Sequence, residues 1–223
     1  MNLPLRHSSN EVTSGILHLI GAVLALAVFI VLVVLSALHG TIVHVIGFAV
    51  YGIGMVFLYL MSTLYHLMPH RKERAKDILQ RIDHASVYLF IAATYTPVCF
   101  LVLLPPSNTI VLSILWVLAC VGVFLKLAKV QVHYAIPLCM YLVMGWIIIL
   151  FLPRLLEVMS TSALTLLIAG GISYTVGVIF FVMESKVKPK KYFWMHEIFH
   201  IFVLAGSILH TIMMFLLLYA EKN

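Results

Sequence analysis

The sequence predicts an all-α fold, a polytopic membrane protein that forms a seven-transmembrane-helix bundle. Of its 223 residues, 63% are hydrophobic and only 10% are charged, and the mean hydropathy is +1.12. Charged residues make up about a quarter of an ordinary globular chain. Apolar runs of about 18 or more residues recur, and each is long enough to cross roughly 30 Å of hydrocarbon. A water-soluble domain is therefore excluded.

Polar residues, prolines and glycines separate the apolar runs. The first run, 16–38, is longer than the core of a signal peptide and lacks a clear A-x-A cleavage site, so we interpret it as a retained span. The nearly unbroken apolar stretch 109–152 is divided at the polar segment 126–133. The predicted spans are 14–38, 42–67, 84–104, 109–127, 133–152, 161–183 and 196–219.

The basic residues predict the orientation of these spans. With seven spans, the N-terminus and the second, fourth and sixth loops share one side, and the positive-inside rule places that side in the cytoplasm. It carries all the Lys and Arg residues except Arg154 and Lys222: Arg6, Arg71, Lys72, Arg74, Lys76, Arg81, Lys126, Lys129, Lys186, Lys188, Lys190 and Lys191. The opposite orientation, typical of G-protein-coupled receptors, is disfavoured.

This orientation gives a simple domain organisation. We expect a cytoplasmic N-terminal segment (1–13), a seven-helix membrane domain (14–219) and an external C-terminal tail (220–223) in a multi-pass protein of the plasma membrane. The net charge of +6 lies in short cytoplasmic loops, where it sets topology and attracts anionic headgroups. It therefore requires no nucleic-acid partner, and membrane lipids are the expected partners.

The three cysteines lie singly in three different apolar runs. Cys99, Cys120 and Cys139 form no CxxC pair, and none lies in a loop. A disulfide framework or a thiolate metal site is therefore not expected.

A pair of histidines opens the last apolar run. His196 and His200 are four residues apart, so on a helix they lie on one face. This is the spacing with which two imidazoles bind one divalent metal ion. Ionisable residues inside a membrane are costly and usually functional.

The predicted topology brings other polar residues to the depth of this pair. The second span ends on the cytoplasmic side with Ser62 and His66, which share a face, and Asp83 stands just before the third span on the same side. The cytoplasmic end of the first span adds Glu11, Ser14 and His18.

These residues predict a metal site. His66, His196 and His200 would supply three imidazoles, and three nitrogen ligands plus water is the open arrangement of catalytic zinc. Asp83 and Ser62 are candidates to hold the water at the metal or to orient a ligand. A buried carboxylate beside several imidazoles is stabilised by a cation.

The other histidines have simpler interpretations. We interpret His18, His44, His133 and His210 as interhelical hydrogen-bond partners, and His7, His39 and His70 as interfacial or loop residues. His210 faces the same interior as His196 but lies roughly 21 Å further along the helix, so the two cannot share an ion.

The motifs resemble those of the bacterial hemolysin III family. They are Asn10-Glu11 with Thr13 and His18-Leu-Ile-Gly21, Ser62-x-x-x-His66, Asp83, Thr94-Tyr-Thr-Pro97, and His196-x-x-x-His200, in order on successive spans. That family is grouped with the progestin and adipoQ receptors, which include the adiponectin receptors, and is distantly related to the alkaline ceramidases.

The resemblance implies a seven-helix bundle with a cytoplasmic N-terminus and one zinc ion near the inner leaflet. It implies that His66, His196 and His200 are the zinc ligands and that Asp83 and Ser62 contact the zinc-bound water. For the receptor branch it implies a ceramidase-like lipid amidase activity, and for bacterial members either cytolysis or membrane-lipid homeostasis.

Three functions follow as hypotheses. The first is a zinc hydrolase acting on a lipid amide or ester, with Asp83 orienting or deprotonating the water. The second is a non-enzymatic membrane sensor or cytolysin with structural zinc. The third is an intramembrane metalloprotease, because Glu197 completes the H-E-x-x-H pattern between His196 and His200.

Overall fold

The described residues fold almost entirely into helices. The computed structural model describes residues 8–184, 186–187 and 193–220, which contain eight α-helices and no β-strand. They are α1 (Ser8–His39), α2 (Ile42–Leu67), α3 (Glu73–Leu101), α4 (Ser107–Leu127), α5 (Ala135–Trp146), α6 (Leu152–Val158), α7 (Thr161–Met183) and α8 (Met195–Tyr219). A 3₁₀ helix, Ile147–Phe151, joins α5 to α6.

Seven of the helical segments described are long and apolar enough to cross a membrane, because α5, the 3₁₀ helix and α6 together form one span. The predicted all-α, seven-span fold class is therefore confirmed. The orientation stays a prediction, and part of its basis lies outside the described residues: Arg6, Lys188, Lys190, Lys191 and Lys222. His7 lies outside them too.

The spans are arranged as a ring in which neighbours in sequence are mostly neighbours in space. α1 packs on α2, α2 on α3, α3 on α4 and α7 on α8, while α5 contacts α3, α4 and α7. The ring closes where α1 packs against α8. Helices from the two ends of the chain therefore lie beside each other, and α1 also packs on α2.

The third span begins earlier than the predicted boundary at residue 84. α3 begins at Glu73, and its first turns carry charged residues that lower its hydropathy without preventing a helix. Lys76 in this polar extension donates hydrogen bonds to the backbone carbonyls of Tyr65 (3.4 Å) and Met68 (3.1 Å). It thus satisfies carbonyl groups that the end of α2 leaves without helical partners.

The fifth span differs from the predicted segment 133–152 in its end and its regularity. It runs from Ala135 to Val158 and is interrupted by the 3₁₀ helix. At the interruption the Tyr95 hydroxyl donates to the carbonyl of Gly145 (2.8 Å) and accepts from the backbone N–H of Ile148 (3.2 Å). A neighbouring helix therefore satisfies backbone groups that the break would otherwise leave unpaired in hydrocarbon.

The core of the bundle is built mainly by α2 and α3. Their large aromatic side chains Phe48, Tyr51, Tyr59 and Tyr88 are fully or almost fully buried. Many Leu, Ile and Val side chains of α1 and α4 are exposed on the outer surface, as expected for helices that face lipid. The buried histidines of the predicted metal site instead lie where α1, α2 and α8 meet.

Candidate metal centre

Three histidines from two helices converge at one end of the bundle. His66 lies in the last turn of α2, and His196 and His200 lie in the first turns of α8. All three are buried, and each offers a ring nitrogen within 4.8 Å of those offered by the other two. The structure thus brings together the three predicted metal ligands.

The imidazole rings are inclined to one another rather than stacked. The centroids of His66 and His196 are 5.3 Å apart, those of His66 and His200 5.0 Å, and those of His196 and His200 4.5 Å. The interplanar angles are 70°, 69° and 61° respectively. Rings inclined in this way can direct a nitrogen lone pair at a common point, as ligands of a tetrahedral ion do.

Two of the histidines are oriented by buried carboxylates. Nδ1 of His66 is 3.2 Å from Oε2 of Glu11, and Nδ1 of His196 is 2.8 Å from Oε2 of Glu184. A carboxylate that accepts a hydrogen bond from Nδ1–H fixes the tautomer and leaves the Nε2 lone pair for a metal. This donor set, with imidazoles backed by carboxylates, fits a zinc ion.

Glu11 also connects the site to a third helix. Its Oε2 accepts a hydrogen bond from Nζ of Lys76 at 3.1 Å, and that ammonium group lies 5.1 Å from the centroid of the Tyr65 ring. α1, α2 and α3 are therefore joined at the histidine cluster by one carboxylate and one ammonium group.

Ser62 and Asp83 lie together beside this cluster. Ser62 is buried one turn before His66, and its hydroxyl lies near the Asp83 carboxyl group. Asp83 is half-buried and is not one of the three converging residues. The structure therefore places the two predicted catalytic residues next to each other and does not test their roles.

Glu197 has structural contacts on both carboxylate oxygens. Oε2 accepts from the backbone N–H of Trp194 at 2.8 Å and thereby caps α8, and Oε1 accepts from the Ser14 hydroxyl of α1 at 2.8 Å. In the H-E-x-x-H proteases this glutamate is the general base. Here it caps a helix and holds α1 against α8, so the geometry does not favour the protease hypothesis.

The remaining predicted histidines have different environments. His210 makes the expected interhelical hydrogen bond, from Nε2 to the carbonyl of Leu167 (3.1 Å). His44 interacts with Thr41 at the start of α2, and His133 accepts from the nearby backbone N–H of Ala135 (3.4 Å), so both have local partners. His18 stacks on His200, and neither of its ring nitrogens has a hydrogen-bond partner among the described residues.

Sequence reasoning missed Glu184. It is fully buried just after α7, twelve residues before the histidine that it orients. The signal was present, because Glu184 is an acidic residue between an apolar run and a basic loop. A carboxylate at that depth has a cost unless it binds a partner.

Comparison with known proteins identifies the family. The family model described as haemolysin-III related matches residues 6–211. The chain belongs to the hemolysin III family. Its relatives include "Hemolysin-3" of Bacillus cereus, 39% identical over 88% of this chain and 86% of that protein, and "Hemolysin-3 homolog" of Bacillus subtilis (strain 168), 37% identical over 88% and 89%.

A more distant relative comes from animals. "Monocyte to macrophage differentiation factor" of Homo sapiens is 28% identical over 72% of this chain and 66% of that protein. The family assignment confirms the resemblance that the motifs indicated, and with the seven apolar helices it establishes a multi-pass membrane protein of the hemolysin III family.

Proposed function

We propose that this protein is a zinc-dependent hydrolase of the plasma membrane that cleaves an amide or ester bond of a membrane lipid and so acts in lipid homeostasis. The observation that carries the proposal is the convergence of three buried imidazoles, with ligand atoms within 4.8 Å of one another. The basic residues support an orientation with this end of the bundle in the cytoplasm. The bond to be cleaved would then lie at the depth of the inner-leaflet headgroups.

His66, His196 and His200 would hold the zinc ion. Three protein ligands leave a coordination position open, whereas structural zinc is usually closed by four. When bound, zinc supplies a Lewis acid and lowers the pKa of water at the site towards about 7. The carboxylates of Glu11 and Glu184 fix the orientation of two of the imidazoles.

Asp83 would carry out the proton transfer, with Ser62 in a positioning role. The Asp83 carboxylate accepts a proton from the attacking water and then donates it to the leaving amine or alcohol. Ser62 lies beside that carboxyl group and would help to orient the water. Ser62 is also one helical turn from His66, so its hydroxyl and a metal ligand have a fixed relative position.

A small apolar cavity lies deeper in the bundle. It lies between α3, the fifth span, α7 and α8, and its lining includes Tyr95, Trp146, Leu167 and His210. His210 is ten residues beyond His200, which is about 15 Å along a helix. That is about half the thickness of the hydrocarbon core, so the cavity lies near the middle of the membrane.

A second candidate function is membrane lysis with structural zinc. The names of the two Bacillus relatives favour it. The two candidates differ in what the metal does: a hydrolase loses turnover when zinc is removed from a folded protein, whereas a cytolysin that keeps its fold continues to lyse membranes.

Metal content tests the proposal. We expect about one zinc per chain in protein purified without chelators, measured by elemental mass spectrometry, and loss of that zinc in His200→Ala. His210→Ala is a matched control, because it removes a buried histidine from the same helix away from the cluster. Zinc-containing protein is then assayed against lipid amides and esters.

Two results would overturn the proposal. Wild-type protein without zinc removes the metal centre. Zinc-containing protein that cleaves none of the lipids, but lyses membranes equally well after zinc is removed, favours the second candidate.

A further inference from the structure

His18 lies against the metal centre without belonging to its three ligands. The side chain is 4% exposed, and its ring stacks on His200 with centroids 3.8 Å apart and planes at 20°. The ring of Tyr59 also makes an edge contact with His18, with centroids 5.1 Å apart and planes at 87°. Two aromatic contacts thus fix the position of this ring.

The stacking excludes His18 as a fourth ligand in this arrangement. A metal ion lies close to the plane of an imidazole that binds it, about 2.0–2.1 Å from the nitrogen. Two rings stacked at 3.8 Å with nearly parallel planes do not share a point that lies in both planes at that distance. The three candidate ligands, in contrast, are inclined to one another by at least 61°.

The ring nitrogens of His18 nevertheless remain available to a polar ligand. Both are buried, and neither has a hydrogen-bond partner among the residues that the structure describes. A buried polar group without a partner costs free energy, so such groups need an explanation. A neutral imidazole offers one N–H donor and one acceptor.

We propose that His18 is the residue that positions the polar end of the bound lipid: its ring N–H donates a hydrogen bond to the carbonyl or carboxylate oxygen held beside His200. This assignment rests on the proposed function, because it takes the lipid as the ligand of the metal centre. The contacts with His200 and Tyr59 hold the donor in place before the ligand arrives, which reduces the entropy cost of binding.

Three forms of the full-length protein test this role: wild type, His18→Phe and His18→Gln. Phe keeps an aromatic ring that can stack on His200 but removes both nitrogens, whereas Gln keeps an N–H donor. For each, zinc content is measured by elemental mass spectrometry, thermal stability by melting temperature, and affinity by equilibrium binding of radiolabelled palmitic acid. Palmitic acid presents the carboxylate that hydrolysis of a lipid amide or ester would release.

We expect equal zinc content in all three proteins. Palmitic acid should bind His18→Phe about tenfold more weakly than wild type, because a hydrogen bond to a charged group is lost, and His18→Gln should recover most of the affinity. If Phe does not allow folding, His18→Leu provides the same contrast with His18→Gln.

Four outcomes would contradict the assignment, and they are distinguishable. Loss of zinc in His18→Phe would make His18 a metal ligand. Wild-type affinity for palmitic acid in His18→Phe would leave His18 with a packing role only, and the hydrolase proposal would stand. Wild-type protein that contains zinc but binds no palmitic acid, or that contains no zinc, would overturn the lipid ligand or the metal centre and the role of His18 with it.

Discussion

Each carboxylate that orients a candidate ligand comes from a helix other than the one that carries the histidine. Glu11 of α1 contacts His66 of α2, and Glu184, the residue after α7, contacts His196 of α8. The imidazole orientation therefore depends on tertiary packing, and the packing in turn is stabilised by charge-assisted hydrogen bonds. Binding of the proposed zinc ion would therefore be coupled to assembly of the bundle at these two contacts.

Replacing Glu184 tests this coupling at the scale of one residue. Glu184→Gln keeps the size of the side chain but removes the charge that accepts from Nδ1 of His196. We expect zinc affinity, measured by competition with a chromogenic chelator, to fall by about 10–100-fold, which is typical when such an outer partner is lost.

The control for this prediction is Glu157→Gln. Glu157 is exposed and pairs with Arg154 in α6, so its replacement should leave zinc affinity unchanged. Equal affinities for Glu184→Gln and wild type would show that His196 does not need the carboxylate.

At the scale of elements, the bundle depends on close contacts at glycines. Gly122 of α4 packs against the ring of Tyr88 in α3, and a Cβ at this position would lie 2.5 Å from the ring. Tyr88 is fully buried and has little room to move. Gly145 of α5 has no neighbouring atom within 4 Å of such a Cβ.

The two glycines form a matched pair for mutagenesis. Gly122→Ala should lower the free energy of unfolding by about 1–3 kcal/mol through overpacking, seen as a lower melting temperature in detergent. Gly145→Ala should have no destabilising effect, because open space surrounds the new methyl group and Ala has the higher helix propensity. If both variants have the same melting temperature, the contact between α3 and α4 does not limit stability.

Elements and site residues differed in how well the sequence predicted them. Spans were predictable because hydrocarbon demands long apolar helices, and the histidine cluster was predictable because i, i+4 spacing and alternating span direction place His66, His196 and His200 at one end. The early start of α3 was missed because its first turns are charged. The break in the fifth span depends on Tyr95, which comes from another helix, so no local pattern reveals it.

The stacking of His18 on His200 illustrates the same limit within the site. The depth of His18 followed from its place in the first span, and a hydrogen-bond partner was the simplest interpretation. The structure instead gives it a ring contact across the junction of α1 and α8. Rotation of one helix about its axis decides between these outcomes, and that rotation is set by packing along the whole span.

In the whole molecule, the basic residues and the histidine cluster lie mostly at the same end of the bundle. The basic residues that the structure describes at the end with the histidine cluster lie in the loop between α2 and α3, in the N-terminal part of α3, at the end of α4 and in the segments after α4 and α7, whereas Arg154 lies at the opposite end. They are Arg71, Lys72, Arg74, Lys76, Arg81, Lys126, Lys129 and Lys186. The positive-inside rule predicts that this end is cytoplasmic. A lipid substrate would then come from the inner leaflet, whose anionic headgroups these cations attract.

Cysteine labelling in cells tests that orientation. In a background without Cys99, Cys120 and Cys139, single cysteines replace Arg71 between α2 and α3 or Thr109 near the start of α4, both exposed positions at opposite ends of the bundle. We expect a membrane-impermeant maleimide to label Thr109→Cys in intact cells and Arg71→Cys only after lysis. Because the rule acts through the basic residues, replacing the cations of one loop should weaken this preference. The reverse labelling pattern would place the metal centre at the outer face, and the lipid substrate would then have to come from the outer leaflet.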